Sequence, residues 1–190
     1  MSEQAWRGDF GNAYTKRNIP LLVERIKLWE KILPLAVRSI CEVGSGAGAN
    51  LEALSHLTNA ELIGIEPNEL ARYSYGGLDG TAQNIPLKDD SVEFAFTCGV
   101  LIHIPPKDLG KACDEIYRIS SKYIACIEYF SDEPESKPYR GYDSLLFKRD
   151  FGSYWLDRFP DLKVIDYGFF WKRMTGLDNL TYWIFEKETL

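Results

Sequence analysis

Short apolar runs alternate with helical patterns along most of the chain. Apolar residues at three- and four-residue spacing predict a first helix that begins near Ile19 and Pro20 and ends at Pro34. Beyond it, short apolar runs predict strands over 37–43, 61–65, 76–82, 92–98, 123–129, 162–170 and 180–186. Helical patterns cover 47–57, 68–75, 107–120 and 149–158. The first 18 residues and a polar stretch over 131–142 show no clear pattern.

This alternation predicts a doubly wound α/β fold, in which helices cover both faces of a mostly parallel sheet. We expect seven strands, with the last two forming a hairpin that adds one antiparallel edge strand. The pattern is similar to the Rossmann-like fold of class I methyltransferases. A length of 190 residues fits a single domain. We divide it into an N-terminal segment over 1–34, expected to form a lid and a helix, and a core over 35–190.

A glycine-rich turn follows the first predicted strand. Gly44, Gly46 and Gly48 alternate with other residues there, and glycine permits a tight turn and a close approach of the backbone to a ligand. The next helix then presents its N-terminus to the crevice where open α/β sheets bind ligands. The turn is not specific by itself, because its glycines and Ala49 also satisfy the dinucleotide-binding pattern.

Two acidic residues indicate an adenosine-containing ligand, and the first of them favours S-adenosylmethionine (SAM) over a dinucleotide. Glu42 ends the apolar first strand, where a buried carboxylate is costly unless a charge compensates it. SAM carries an ammonium and a sulfonium that would do so, whereas a pyrophosphate would be repelled. Glu66 ends the next strand and is expected to accept hydrogen bonds from ribose hydroxyls, which fits SAM and NAD equally. The alternative is that Glu42 pairs with a buried arginine or lysine and Glu66 is a helix N-terminal charge.

Other loops are expected to complete the cofactor site. Residues 80–87 resemble the methyltransferase stretch that wraps the adenine, but Thr81 stands where many members place an acid, so the Ala82 backbone and the Gln83 side chain are expected to substitute. The predicted cofactor-binding set, for SAM and its product S-adenosylhomocysteine (SAH), is Tyr14, Arg17, Glu42, Gly44, Ser45, Gly46, Gly48, Asn50, Glu66, Pro67, Ala82, Gln83, Cys98, Gly99 and Val100.

Three polar residues at later strand ends are candidates for catalysis. His103 is the expected general base, because the pKa of an imidazole lies near neutrality. Glu128 and Tyr129 would orient the acceptor. Purely structural roles are the alternative for all three. Methyl transfer needs little acid–base machinery, since the sulfonium is already activated and alignment supplies much of the acceleration.

Further motifs stand near both termini. They are Trp6-x-Gly8-x-Phe10-Gly11-x-x-Tyr14-x-x-Arg17-Asn18, Tyr139-Arg140-Gly141, Leu146-Phe147-Lys148-Arg149-Asp150-Phe151, Pro160-Asp161-Leu162 and Asp166-Tyr167-Gly168-Phe169. Together they resemble the family of pseudaminic-acid-biosynthesis-associated methylases. The resemblance implies SAM-dependent methylation of an oxygen or nitrogen of a small molecule or sugar, linked to a nine-carbon acidic sugar or its surface polysaccharide. Such an acceptor is acidic or nucleotide-linked.

The outer segments are the expected acceptor site. Aromatic residues of the N-terminal segment would shield the sulfonium from water, and Arg17 would reach the methionine carboxylate. Basic residues beyond position 139 would hold an acidic acceptor. The predicted substrate-binding set is Trp6, Phe10, His103, Tyr139, Arg140, Lys148 and Arg149. The alternatives are a hydrophobic staple for the aromatic residues and a solvated face for the basic ones.

Composition narrows the remaining possibilities. A net charge of −6 without a run of like charges argues against nucleic acid. The chain has no apolar run long enough to span a bilayer and no signal-peptide pattern, so we expect a cytoplasmic protein without membrane contact. Four widely spaced cysteines and two histidines predict reduced thiols and no metal. A SAM-binding module without turnover stays open. So does a nucleotide-dependent sugar oxidoreductase or epimerase, although Tyr117 and Tyr139 lack the lysine such enzymes need.

Overall fold

The computed structural model describes residues 2–18, 21–33 and 36–188. The helices are α1 (Ser2–Arg7), α2 (Asp9–Arg17), α3 (Leu22–Ile32), α4 (Ala49–Ser55), α5 (Glu69–Tyr73), α6 (Pro106–Ile119), α7 (Phe151–Arg158) and α8 (Lys172–Thr175). The strands are β1 (Ser39–Val43), β2 (Glu61–Ile65), β3 (Val92–Cys98), β4 (Ser120–Glu128), β5 (Glu135–Tyr139), β6 (Tyr142–Lys148), β7 (Leu162–Phe170) and β8 (Leu180–Lys187). A short 3₁₀ turn covers Leu101–His103.

The main sheet has the strand order β2-β1-β3-β4-β8-β7. Strands β1 to β4 pair in parallel, and β8 runs antiparallel to both of its neighbours. The predicted Rossmann-like α/β fold is therefore confirmed, together with the hairpin of the last two strands. The position of the antiparallel strand needs a correction, because β8 lies second from the edge and β7 forms the edge.

The prediction of a seventh strand over 76–82 is wrong. Among the described residues, that segment adds to β2 only a single bridge, between Ile65 and Leu78. Its backbone bonds are Leu78 N–H to Gly64 O at 2.8 Å and Glu66 N–H to Leu78 O at 3.1 Å. Glycines on both sides of Leu78 explain the short pairing, because glycine in a strand has no side chain to pack and a high entropic cost.

Two segments without a clear sequence pattern have regular structure. The first 18 residues contain α1 and α2, and the predicted polar loop contains β5, which pairs with β6. Arg140 and Gly141 connect these two strands with φ values of 50° and 86°, as a two-residue hairpin turn of the I′ type requires. The predicted ends of the first helix, at Ile19, Pro20 and Pro34, lie outside the described residues.

Helices pack on both faces of the main sheet. On one face, Trp29 of α3 contacts Phe96 of β3 with ring centroids 4.5 Å apart. On the other face, α6 and α7 bury a cluster that includes Ile116 and Trp155. None of the helices in the described ranges has the length and apolarity needed to cross a membrane. The two layers of helices leave the carboxyl ends of the parallel strands accessible.

Candidate functional site

A cavity of about 500 Å³ opens at the carboxyl ends of the parallel strands. Its floor is formed by the glycine turn after β1, by Glu66 after β2, by residues 81–83 and by the turn after β3. Its outer wall comes from α1, α2 and α3, and residues 172–180 contribute the opposite rim. This is the crevice in which doubly wound sheets bind ligands, and we call it the main cavity.

The three glycines of the turn adopt backbone conformations in which other residues would be strained. Gly44, Gly46 and Gly48 have φ values of 75°, 55° and 80°. A Cβ on Gly44 would lie 2.5 Å from a methyl group of Val100, whereas a Cβ on Gly46 would meet nothing within 4 Å. Gly44 is therefore fixed by packing, and Gly46 leaves open space for a ligand to approach the backbone.

Glu42 has a buried carboxylate that the protein satisfies only in part. Its side chain is 2% exposed, and its Oε1 accepts a hydrogen bond from Asn50 Nδ2 at 2.5 Å. Its Oε2 has no partner among the described residues. Burial raises the pKa of this carboxyl to about 8, while the Asn50 hydrogen bond and the charge of Arg25 act in the opposite direction.

Arg25 of α3 binds the same asparagine as Glu42 but does not neutralise the Glu42 carboxylate. Its Nη1 donates to Asn50 Oδ1 at 2.6 Å, and no ion pair joins it to Glu42 within the described ranges. The Arg25 Nε is buried without a partner among those residues. A buried acid and a half-buried guanidinium thus share Asn50 as a bridge, each has one atom without a partner among the described residues, and both residues line the main cavity.

Glu66 ties two loops together at the end of β2. Its two oxygens accept the backbone N–H groups of Gly46 and Asn68, both at 2.8 Å. Burial raises the pKa of Glu66, and these two hydrogen bonds oppose the rise. The carboxylate is 6% exposed and lines the main cavity. The helix that follows is capped by Asn68 and not by Glu66, and the predicted contact of Glu66 with a ribose stays a prediction.

Glu128 binds the backbone of the turn after β3 through hydrogen bonds. Its fully buried carboxylate accepts the backbone N–H groups of Val100 and Leu101 at 3.1 and 3.0 Å, and of Ile102 at 3.4 Å. Burial raises the pKa of Glu128 to about 7, although these hydrogen bonds lower it. Glu128 does not line the main cavity, so it touches no ligand there and instead fixes the loop that does.

His103 is held in an aromatic setting at the cavity wall. Its ring centroid lies 4.9 Å from that of Trp6 and 5.0 Å from that of Tyr139, and its Nδ1 is hydrogen-bonded to the backbone oxygen of Leu145. Burial lowers the pKa of His103 to about 4. The imidazole is therefore neutral at pH 7, with Nδ1–H facing a carbonyl oxygen and Nε2 as the acceptor nitrogen.

Tyr129 belongs to a polar group at the opposite rim. Its hydroxyl donates to Asp178 at 2.7 Å, and Lys172 contacts the other carboxylate oxygen of Asp178 at 3.1 Å. All three side chains line the main cavity. Sequence reasoning missed Lys172 and Asp178, because only the packing of the final hairpin brings them beside the end of β4.

Comparisons with known proteins agree with this geometry. A family model described as "Methyltransferase domain" matches residues 41–122, which contain the glycine turn and both acidic strand ends. The match spans less than half of the chain, and over these residues the chain is similar to methyltransferase domains. No curated protein sequence matches the chain.

Solved methyltransferases share the fold over nearly the whole chain. A SAM-dependent methyltransferase from Thermotoga maritima, described as a possible histamine N-methyltransferase, aligns over 100% of both chains with 19% identity and a TM-score of 0.69. A SAM-dependent methyltransferase from Leishmania major covers 97% of this chain and 81% of its own, with 16% identity and a TM-score of 0.73. The 1,6-didemethyltoxoflavin-N1-methyltransferase from Burkholderia thailandensis, solved with SAH and its acceptor, covers 98% and 85%, with 13% identity and a TM-score of 0.70.

Most residues that the sequence predicted for the cofactor, the acceptor and catalysis lie together at the main cavity. Those that line it are Trp6, Tyr14, Glu42, Gly44, Ser45, Gly46, Asn50, Glu66, Pro67, Ala82, Gln83, Cys98, Gly99, Val100, His103, Tyr129, Tyr139 and Arg140. Gly48 does not line the cavity and lies against Tyr75, and Phe10 does not line it either and packs on Tyr139 and Tyr142.

Three predicted basic residues lie away from the main cavity. Arg17 is exposed and stacks over the rings of Tyr14 and Phe10, at 5.2 and 5.7 Å from their centroids. Lys148 and Arg149 line a second, smaller cavity beneath the β5–β6 hairpin. Within the described residues, no cluster of histidine, cysteine, aspartate or glutamate is suited to hold a metal ion.

Proposed function

We propose that the protein transfers the methyl group of SAM to an oxygen or nitrogen of a small acidic acceptor, of the pseudaminic-acid sugar type. The observation that carries the proposal is the half-satisfied Glu42 carboxylate facing the main cavity beside Arg25. When bound, SAM supplies a methyl group that is already activated on a sulfonium. Every other part of the reaction concerns how the residues of this chain bind, orient and dehydrate the reactants.

The methionyl end of SAM fits the pair of unused atoms. It carries an ammonium and a carboxylate on one carbon, and the cavity offers Glu42 Oε2 as an acceptor and Arg25 Nε–H as a donor. Each buried polar atom left without a hydrogen-bond partner costs about 1–3 kcal/mol. A ligand that hydrogen-bonds to both atoms therefore gains about 1–3 kcal/mol of binding free energy from each. Arg25 takes the role that the sequence assigned to Arg17.

Glu66 and the following loop fit the nucleoside. Glu66 already orders Gly46 and Asn68, and its remaining lone pairs are free to accept from ribose hydroxyls. Ala82 and Gln83 line the same end of the main cavity and would contact the adenine. Thr81, where many members have an acid, lies there as well and offers a hydroxyl instead.

The N-terminal helices and the hairpin are placed to exclude water from the acceptor. Trp6 contacts His103 and Tyr14, with ring centroids 4.9 and 5.2 Å apart, so α1, α2 and the turn after β3 meet in one aromatic wall. A pKa of about 4 makes His103 a weak base, so in the proposal neutral His103 orients the acceptor by accepting a hydrogen bond at Nε2 and is not the general base that the sequence predicted. Glu128 is a positioning residue, because it holds the backbone on which His103 stands.

The acceptor class follows from the charges at the mouth of the main cavity. Arg140 lines this mouth with its guanidinium over the Tyr139 ring, 5.6 Å from the centroid. Lys172 lies at the other rim, paired with Asp178. A guanidinium that lies over an aromatic ring and has no ion pair among the described residues suits the carboxylate or phosphate of an acidic or nucleotide-linked sugar. A cytoplasmic location, which the sequence predicts, belongs to the proposal as well.

The test uses defined acceptors and isotope-labelled SAM. Nine-carbon keto-acid sugars, free and cytidine-monophosphate-linked, are incubated with the enzyme, and mass spectrometry looks for one added labelled methyl group. His103→Gln and Arg140→Gln should slow turnover while SAH binding by calorimetry stays close to that of the wild type. A chain that binds SAH and labels protein or RNA but none of these sugars would contradict the proposed acceptor.

A further inference from the structure

A second cavity lies beneath the β5–β6 hairpin and is separate from the SAM site. It has a volume of about 280 Å³, and its walls come from the start of α6, the start of α7 and the strands of the hairpin. We call it the hairpin cavity. Ile104 lines both cavities, so the loop after the 3₁₀ turn forms a wall between them. The proposed methyl transfer does not use this space.

The walls of the hairpin cavity are mainly apolar. Leu101, Ile104 and Leu109 contribute one side, and Phe147 and Phe151 contribute the other. Such a lining disfavours a bare inorganic ion, because the ion would lose its hydration without enough polar partners. It suits the apolar part of a small organic ligand.

One polar group at this cavity lacks a partner. Arg149 lines it, and the Arg149 Nε is shielded from solvent with no hydrogen-bond partner among the described residues. The guanidinium stacks on the Tyr154 ring, 4.2 Å from its centroid. A stacked guanidinium with a free donor edge matches the two oxygens of a carboxylate.

The neighbouring charges leave Arg149 free for a ligand. Glu135 is engaged by Lys137 at 2.8 Å and lies 3.9 Å from Lys148. Asp150 accepts hydrogen bonds from Ser153, through both the backbone N–H and the hydroxyl group. Glu135 and Asp150 are therefore already engaged, which leaves Arg149 as a partner for an anion.

We infer that the hairpin cavity binds a small amphipathic carboxylate, with its apolar group between Leu109 and Phe147 and its carboxylate on Arg149. The volume of about 280 Å³ corresponds to roughly nine waters' share of liquid. Phenylacetate is close to this size. A ligand of that size with a typical binding free energy per non-hydrogen atom reaches a dissociation constant of about 1 mM.

The experiment is a titration of ¹⁵N-labelled, SAH-saturated protein with phenylacetate, followed by amide chemical shifts. Saturable shifts should centre on Phe147, Lys148 and α6, with a dissociation constant of about 1 mM or tighter. Phenylacetamide, a neutral molecule of the same shape, should bind at least tenfold more weakly. SAH occupies the main cavity during the titration, and a repeat without SAH keeps this test independent of the proposed function.

Matched variants locate the carboxylate. Arg149→Gln should weaken phenylacetate binding at least tenfold, whereas Arg173→Gln, which removes an exposed arginine that lies over Trp171, should leave it unchanged. Ser136→Phe fills the cavity from the exposed side of the hairpin and should abolish binding without disturbing the core. The inference is overturned by an absence of saturable shifts, by equal binding of the amide, or by an Arg149→Gln variant that binds like the wild type.

Discussion

Replacing Glu42 with glutamine gives the sharpest prediction about the cofactor site. The rise of its pKa from 4.5 to about 8 corresponds to about 5 kcal/mol of unfavourable burial of the charged form. The pKa of Glu42 is higher in the folded protein than in the unfolded chain. The contribution of Glu42 to the free energy of unfolding is therefore most favourable below pH 4.5, and it is lost as the pH rises through about 8. In the ligand-free protein the carboxyl is therefore mostly protonated at pH 6.5.

Binding of the SAH ammonium requires the charged form of Glu42. SAH binding at pH 6.5 should then release nearly one proton, and the affinity of the wild type should rise about tenfold per pH unit between 5.5 and 7.5. Glu42→Gln has no proton to release and loses a hydrogen bond to a charged group, which contributes about 1.5–3 kcal/mol. Its affinity should be flat with pH, so the difference from the wild type widens as the pH rises.

Calorimetry in buffers of different ionisation enthalpy measures the proton release directly. Glu52→Gln serves as the control, since Glu52 is an exposed residue on α4 that does not line the main cavity. Equal proton release by the wild type and Glu42→Gln would refute the reasoning. So would a wild-type affinity that does not change over this pH range.

Three further predictions concern the supports of the site. Arg25→Gln should weaken SAH binding at least tenfold in calorimetry, and Arg17→Gln should have little effect. A larger loss of SAH affinity for Arg17→Gln than for Arg25→Gln would support the sequence-based assignment of Arg17 to the methionine carboxylate. Gly11→Ala places a Cβ 1.8 Å from the backbone oxygen of Trp6, so it should displace α1. We expect it to lower the free energy of unfolding in urea by about 1–3 kcal/mol. Gly8→Ala, whose Cβ would lie 3.1 Å from its nearest atom, is the control and should have a smaller effect. Glu128→Ala leaves three backbone donors unpaired and should cost about 3 kcal/mol or more; a melting temperature equal to that of the wild type would contradict its positioning role.

The glycine turn and the two acidic strand ends of the proposed cofactor site are predictable from sequence because their signals are local. Glu42 and Glu66 each end an apolar strand, and the glycine turn follows the first of them directly. In a parallel sheet such strand ends meet at one edge, so adjacency in the fold follows from topology alone. The family match over residues 41–122 covers this same part of the chain.

The side chains that other segments bring to the main cavity are not predictable in the same way. Whether Arg17 or Arg25 reaches the cavity depends on how α2 and α3 pack, and both helices present arginine at plausible positions in the sequence. Glu128 ends an apolar strand, as Glu42 does, yet it turns toward three backbone donors and away from the main cavity. Lys172 and Asp178 reach the rim only because the final hairpin folds back against β4.

A crystal structure of the SAH complex tests the central claim most directly. Our account predicts the ammonium of SAH within hydrogen-bond distance of Glu42, its carboxylate at Arg25 and its ribose hydroxyls on Glu66. An SAH molecule whose amino group lies away from Glu42, with that carboxylate still unpartnered, would contradict it.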